Sequence, residues 1–426
     1  MELSAMVENK EFLKCKSCGF CKVGCPVSKA KDYLESVSPR GKMLLLLGLQ
    51  RGDLKVTPRL AEKFFTCVLC AHCTQECPSG MQVHEILIDS RKGLKDYVPA
   101  AVKLLRDNLA KSDNPFGLPD SLKTQWTEGS RRSKANRTIL YTTCSYPYMR
   151  YGEALTSVLH SLEKLGLSPN QVSSLVGRAG GLGRSLMNLY SRLAAGTDVY
   201  TPALVGATQV LEAIGVESGH LYEEEPCCGY FLYIWGFDED FSEHANKTYK
   251  KLKSLGVERL ISMTPSCTEA LSDIYPRYVD GYDLKVQHFV ETVKEGIEER
   301  KIKLKVEEPL EVTFHDPCQL ARYLKFSSYI RDILQSIEGL TLVEATPNTG
   351  LMTKCCGGGG SYEVIDPDLS IRIAVDRARE LVDTGVQTIV TCCPACLMNL
   401  RRGIKELGAV AKVVDLAELL SHALTP

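Results

Sequence analysis

Two cysteine runs limit what this chain can become: Cys15, Cys18, Cys21 and Cys25 followed by Pro26, and Cys67, Cys70, Cys73 and Cys77 followed by Pro78. Each reads C-x2-C-x2-C-x3-C-P. Three cysteines at two-residue gaps can wrap a tight loop round one centre, with backbone N–H groups free to point at its sulfurs. The fourth is offset, and the proline after it turns the chain away. Zinc takes four ligands, usually as two separated pairs, and has no use for a three-plus-one pattern used twice. Disulfide scaffolds are short secreted chains, whereas this one has 426 residues, 18 of them cysteine. Met1–Lys14 mixes Glu and Lys with isolated apolar residues and lacks a signal-peptide core, so a cytosolic-type chain is expected. Apolar runs such as Met43–Leu47 are far too short to cross a bilayer, so any membrane link is expected through a partner.

The spacing is that of two-cluster ferredoxins, in which three cysteines of one run and the fourth of the other hold each 4Fe-4S cube. It assigns Cys15, Cys18, Cys21 and Cys77 to one cube, and Cys67, Cys70, Cys73 and Cys25 to the other. Lys42–Leu49 and Pro58–Phe65 read as helix-forming, so the module is expected to be α-helical, closed by Val83–Leu109 and spanning residues 1–110. Asp113–Gly117 reads as a turn and the polar run Lys123–Arg137 as a linker, within a boundary segment 111–137.

Beyond residue 137 the chain repeats itself. Strand-like TILYTT (138–143) ends at Cys144, and LEVTFH (310–315) precedes Cys318. Cys227-Cys228-Gly229 in the first half answers to Cys355-Cys356-Gly357 in the second. A helical stretch follows each (Phe241–Leu255 and Leu369–Thr384), then a short strand (Glu258–Met263 and Gln387–Thr391). A proline turn follows with Cys267 in one half, and with Cys393 and Cys396 in the other. Cys228 to Cys356 is 128 positions and Cys267 to Cys396 is 129, so the registers agree. Alternating strands and helices at this spacing indicate parallel α/β units over 138–300 and 301–426, with ligands gathered where the strands end. Aligning the halves places Thr264 opposite Cys393, and Cys392 opposite Met263.

With its two cysteine runs and the pattern Cys318, Cys355-Cys356, Cys393-x-x-Cys396, the chain resembles the iron–sulfur oxidoreductases with paired cysteine-rich CCG domains, most of all the D subunits of heterodisulfide reductases. The resemblance covers nearly the whole chain. It implies an α-helical two-cluster ferredoxin domain followed by two tandem α/β CCG domains related by internal repeat. It also implies that Cys318, Cys355, Cys356, Cys393 and Cys396 hold a non-cubane 4Fe-4S cluster where a disulfide is reduced. The first half departs from the pattern. Cys144, Cys227, Cys228 and Cys267 suffice for an ordinary cube, and a cluster-free pseudo-repeat is the alternative. Cys392 falls outside the pattern and is expected to be a buried apolar thiol.

Other residues take plainer readings. Gly357–Gly360 matches neither a phosphate loop nor the dinucleotide fingerprint, and no flavin or NAD site is visible. Those glycines are expected to admit backbone close to sulfur, or to leave room for substrate. His315 is read as a satisfied strand-end histidine or as a proton donor to a cluster-bound thiolate; His72 and His288 have weaker claims. Between Cys144 and Cys227 lie about 46 more residues than between Cys318 and Cys355, and Leu182, Leu186, Leu189 and Leu193 there share a helical face expected to pack on its own domain. Fifty-one basic against 52 acidic residues speak against a nucleic-acid partner. The expected partners are a flavoprotein or a membrane cytochrome or quinone-linked subunit, with a disulfide substrate or redox carrier. The competing expectation is a pure conductor, similar to the iron–sulfur subunits of glycolate, lactate and glycerol-3-phosphate dehydrogenases.

Overall fold

A computed structural model describes residues 10–127, 137–179 and 198–425, with Ser185, Leu189 and Leu193 between. The N-terminal module is helical. Helix Pro39–Arg51 starts on Ser38, whose hydroxyl accepts the Gly41 N–H, and stops at Gly52 in the left-handed conformation at φ 77°. Thr57 caps helix Pro58–Phe65 in the same way, again with proline in the first turn. These helices bury Met43, Leu46, Phe64 and Phe65. The expected closing helix is two: Val83–Lys92 stops at Gly93, and Ala100–Ser112 starts again after Pro99. Within the run read as a linker, Lys123–Thr127 belong to the 3-10 helix Asp120–Thr127. Lys123 is buried and donates to the Glu225 carbonyl, so its charge anchors the segment to the next unit.

Strands β1 (Thr138–Tyr141), β2 (Arg259–Ser262) and β3 (Lys285–His288) form a parallel sheet in the order β1-β2-β3. A second parallel sheet is built from β4 (Leu304–Phe314), β5 (Ile337–Leu342), β6 (Thr388–Thr391) and β7 (Lys412–Asp415), in the order β5-β4-β6-β7. The sequence pattern does not announce β5, whose exposed Glu338, Gly339 and Thr341 give little apolar signal. Helices Asp238–Ser254 and Pro367–Val382 lead into β2 and β6, as parallel pairing requires. Register aligns Tyr141 with Ser262 and Ser262 with His288, and Thr391 with Asp415. Cys144 and Cys267 therefore follow β1 and β2, while Cys318, Cys393 and Cys396 follow β4 and β6. One apolar core joins the sheets, with Leu140 and Ile261 in the same cluster as Val312 and Ile389. Helix Thr201–Ala213 meets the C-terminal helix Leu416–Ala423 so closely that a Cβ on Gly206 would collide with the Ala417 carbonyl.

His288 and Asp415 end corresponding strands, and each caps the following helix through its side chain. Asp415 also accepts from the Tyr146 hydroxyl at 2.7 Å, and burial pushes its carboxyl up to about 7. The folded protein thus binds this proton more tightly than the unfolded chain does. The stabilisation is complete below the ordinary carboxylate range and is lost as pH rises toward neutrality. Asp415→Asn should flatten the decline in stability between about pH 5.5 and about pH 8, by on the order of 2 kcal/mol. Urea midpoints of both proteins at the two pH values check this; parallel declines would assign the titration elsewhere.

Candidate iron–sulfur sites

The two ferredoxin-type loops share one backbone. Ser17 and Gly19 are left-handed at φ 55° and 90°, and the matching Leu69 and Ala71 at 48° and 57°. Those two reversals turn each loop round its cysteines, the third of which, Cys21 or Cys73, lies in the short helix that follows, Phe20–Val23 or His72–Gln75. The Ser17 N–H points at Cys15 Sγ (3.5 Å) and the Leu69 N–H at Cys67 Sγ (3.4 Å). Cys25 caps helix Pro26–Ala30, its sulfur accepting from the Ser28 N–H. Cys15, Cys18, Cys21 and Cys77 line one small cavity, and Cys25, Cys67, Cys70 and Cys73 another, each about 20 Å³. Burial, then crowding by Cys15 and Cys77, pushes the Cys21 thiol up to about 12. Such thiols ionise only against a cationic centre, and four converging sulfurs with N–H donors fit a soft, thiophilic one. Cys18 is exposed whereas Cys70 and Cys73 are buried, so the first cavity is the outer one.

In the second α/β half, Cys356 and Cys396 sulfurs lie 3.1 Å apart. Cys355 hydrogen-bonds with both Cys318 and Cys356, and Cys396 with Cys393, so the five thiols form a continuous group. Gly357, at φ 88°, directs its N–H to Cys355 Sγ at 3.3 Å. The first half has the same turn: Gly229, at φ 69°, points its N–H at Cys227 Sγ. There Cys144 and Cys227 sulfurs are 3.6 Å apart, and those of Cys228 and Cys267 are 3.2 Å apart. Thr264 is buried with its hydroxyl on that of Thr143 at 3.0 Å. The sequence pattern presents these groups as separate sites. In the structure all four first-half cysteines and Cys318, Cys356, Cys393 and Cys396 line one cavity of about 130 Å³ between the halves.

Cys355 is the fifth thiol of the second group, and it lies on the side of the ferredoxin module, beside Cys70. The seam there is tight. Arg322 donates to the Cys70 carbonyl at 2.7 Å, to His72 Nδ1 at 2.8 Å and to the carbonyls of Leu351 and Thr353. His72 then carries its proton on Nε2, 3.4 Å from the Glu76 carboxylate. The neighbouring Cys355 thiol, and then Arg322, hold Cys70 down at about 5. The glycines after Cys356 serve this seam. A Cβ on Gly359 would collide with the Val68 carbonyl, one residue from Cys67, and Gly360 accepts from the Trp235 indole at 3.0 Å.

His315 is fully buried, with a ring nitrogen within 4.8 Å of the Cys356 and Cys396 sulfurs. The Arg377 guanidinium donates to its Nδ1 at 3.2 Å, which leaves the hydrogen on Nε2 toward Cys356. Contacts with Cys355 and Cys396, with the His315 ring nearby, hold Cys356 well below the ordinary thiol range. Cys392 is buried, away from the cavity lining. Leu189 and Leu193 are exposed, contrary to the packing expected for that face; Leu182 and Leu186 lie outside the described residues. Arg322, Arg377 and Arg91 carried no signal in the sequence, since a buried arginine looks like any other until its carbonyl partners are known.

Comparison with known proteins agrees with this anatomy. The model of the 4Fe-4S dicluster domain matches residues 11–81, and that of the CCG cysteine-rich domain matches 197–272 and 312–401. The chain is 26% identical to the D subunit of the dihydromethanophenazine:CoB–CoM heterodisulfide reductase of Methanosarcina mazei, over 98% of this chain and 95% of that one. It is 23% identical to a probable glycolate oxidase iron-sulfur subunit of Bacillus subtilis, over 99% and 96%. It is 22% identical to an EtfAB:quinone oxidoreductase of Syntrophomonas wolfei, over 96% of this chain and 58% of that one. No described helix is long and apolar enough to cross a membrane.

Proposed function

We propose that this chain, which belongs to the CCG-domain iron–sulfur oxidoreductases, is the subunit of a larger complex that reduces a disulfide to two thiols at its second CCG site. The reaction is R–S–S–R′ + 2 electrons + 2 protons → RSH + R′SH. Cys15, Cys18, Cys21 and Cys77 would hold one 4Fe-4S cube and Cys25, Cys67, Cys70 and Cys73 the other. Cys318, Cys355, Cys356, Cys393 and Cys396 would hold a non-cubane cluster, with Cys144, Cys227, Cys228 and Cys267 as a further metal site. When bound, the clusters supply one-electron transfer between an external donor and the two-electron disulfide.

The observation that carries the reading is the seam that sets the inner ferredoxin loop against the second half, where Arg322 donates to the Cys70 carbonyl at 2.7 Å and Gly359, three residues from Cys356, lies against the Val68 carbonyl. The chain's own residues have distinct tasks. Arg322 fixes the Cys67–Cys73 loop to the second half and adds positive charge beside Cys70. His315 stands beside Cys356 and Cys396, and Arg377, donating to its Nδ1, leaves its hydrogen on Nε2. We read the two CCG units as copies of one ancestral unit, the first having lost a thiol at Thr264. The electron partner is a flavoprotein or a membrane cytochrome or quinone-linked subunit, and this chain sits in the cytoplasm or at the membrane through that partner.

Iron, sulfide and electron paramagnetic resonance of anaerobically purified protein test the reading. About twelve irons with a signal that appears on adding thiol to oxidised protein is the expected result, and about sixteen would add the first-half site. About eight irons and no thiol response would sink it. The chain would then be an electron conduit, the reading that its likeness to the glycolate oxidase subunit favours.

A further inference from the structure

The cavity between the two cysteine groups does not end at the sulfurs. Pro115, Phe116, Met149, Ser361 and Glu363 line both it and a second cavity of about 50 Å³ behind it. Three helices wall that second space: Ala100–Ser112, Ser145–Lys164 and Pro169–Arg178, which contribute Leu105, Leu155 and Val176. The last helix lies in the segment that lengthens the first half relative to the second. The cleft is therefore one-sided, a feature added to one half of a paired architecture.

Its chemistry is selective. Among the described residues no Lys, Arg or His lines either cavity, and Glu363 is the only carboxylate. Glu363 is 7% exposed, and its Oε2 has no hydrogen-bond partner among the described residues. It stands where the two cavities join. Burial pushes its carboxyl up to about 7, so a proton is available to donate to a neutral acceptor. A sulfonate, phosphate or carboxylate arm would lose its hydration here and meet no cation. An aliphatic arm would gain by leaving water, and a carbonyl beside it would satisfy the unpartnered oxygen.

We infer that the disulfide is an uncharged amphiphile, with its sulfurs at the cysteine cavity, an amide or ester carbonyl on Glu363 and an aliphatic arm in the cleft beyond. This rests on the disulfide-reductase reading and narrows its substrate. The balance is unchanged: two electrons from an external one-electron donor and two protons convert R–S–S–R′ to two thiols, one keeping the aliphatic arm.

The test uses the full chain with its clusters and reduced methyl viologen as donor. N,N′-dihexanoylcystamine, uncharged with aliphatic amide arms, is compared with glutathione disulfide, which is charged. Binding of bis(2-hexanamidoethyl) sulfide, a thioether that cannot be reduced, is followed by calorimetry. The uncharged disulfide should be favoured by about tenfold or more in kcat/KM, a difference of about 1.4 kcal/mol or more. Leu155→Trp, which fills the cleft away from every cysteine, should weaken thioether binding and raise KM for dihexanoylcystamine by a similar factor. Glu363→Gln should weaken binding less, because an amide still donates. Val176→Trp on the opposite wall repeats the test if Leu155→Trp does not fold. Equal use of glutathione disulfide, or unchanged thioether binding in the tryptophan variant with both cubes intact, would overturn the substrate class and leave disulfide reduction standing. Reduction of neither disulfide, with no thiol-dependent signal, would overturn the underlying reading and this one with it.

Discussion

Cys356→Ala is expected to lower disulfide reduction by more than about a thousandfold while both ferredoxin-type cubes remain reducible. Cys356 lines the cavity between the halves, lies 3.1 Å from Cys396 and is the thiol that His315 faces. Neither ferredoxin cavity includes it. Viologen-driven turnover and low-temperature resonance spectra of the reduced protein separate the two effects. Loss of the cube signals along with activity would mean that the cysteine groups do not assemble independently. Cys392→Ala makes the matching control. It lies one residue from Cys393 but outside the cavity lining, and its removal should leave turnover near that of the parent.

Arg91→Ala should cost on the order of 3–5 kcal/mol, the largest stability effect expected from one side chain here. Arg91 is fully buried and donates to the carbonyls of Phe64 (3.3 Å), Cys67 (2.9 Å) and Ile234 (2.9 Å). Its guanidinium also lies over the Trp235 ring, 4.4 Å from the centroid. Alanine would orphan three buried carbonyls, forfeit the cation–π contact and leave a void between the ferredoxin module and the first α/β half. The expected readout is a fall in melting temperature, with iron lost first from the Cys67 loop. An unchanged melting temperature with full iron content would show that the junction is held by other contacts.

Local covalent spacing was the legible part of this protein. A C-x2-C-x2-C loop with left-handed residues at the second and third of its four gap positions has few ways to fold, and the set that the spacing assigns, Cys15, Cys18, Cys21 and Cys77, lines one cavity. Strands ending at Cys144, Cys267, Cys318 and Cys393 were readable for a similar reason, because short apolar runs followed by proline turns are local signals. What the sequence did not carry is how distant pieces meet. Arg322 and Cys70 are 252 positions apart, and no periodicity connects them. Lys123 looked like a solvated linker residue because its carbonyl acceptor, on Glu225, lies 102 positions away. Gly359 lines the cysteine cavity, as read, but its tightest neighbour is the Val68 carbonyl of another domain, which the sequence does not announce. The facing of the two cysteine groups across one cavity is likewise a product of packing between halves.

The seam between the Cys67 loop and the glycine turn has a consequence for maturation. Val68 lodges against Gly359, Arg322 spans the joint, and Cys70 and Cys73 are closed off from solvent. Under the proposed ligation, the inner cube must be delivered while that joint is still open, and docking of the domains then locks it in. The outer set, with Cys18 at the surface, stays within reach of a delivery protein afterwards. Damage by oxygen would therefore be repairable at one end of the chain, whereas restoring the other end would require the chain to come apart and be assembled again.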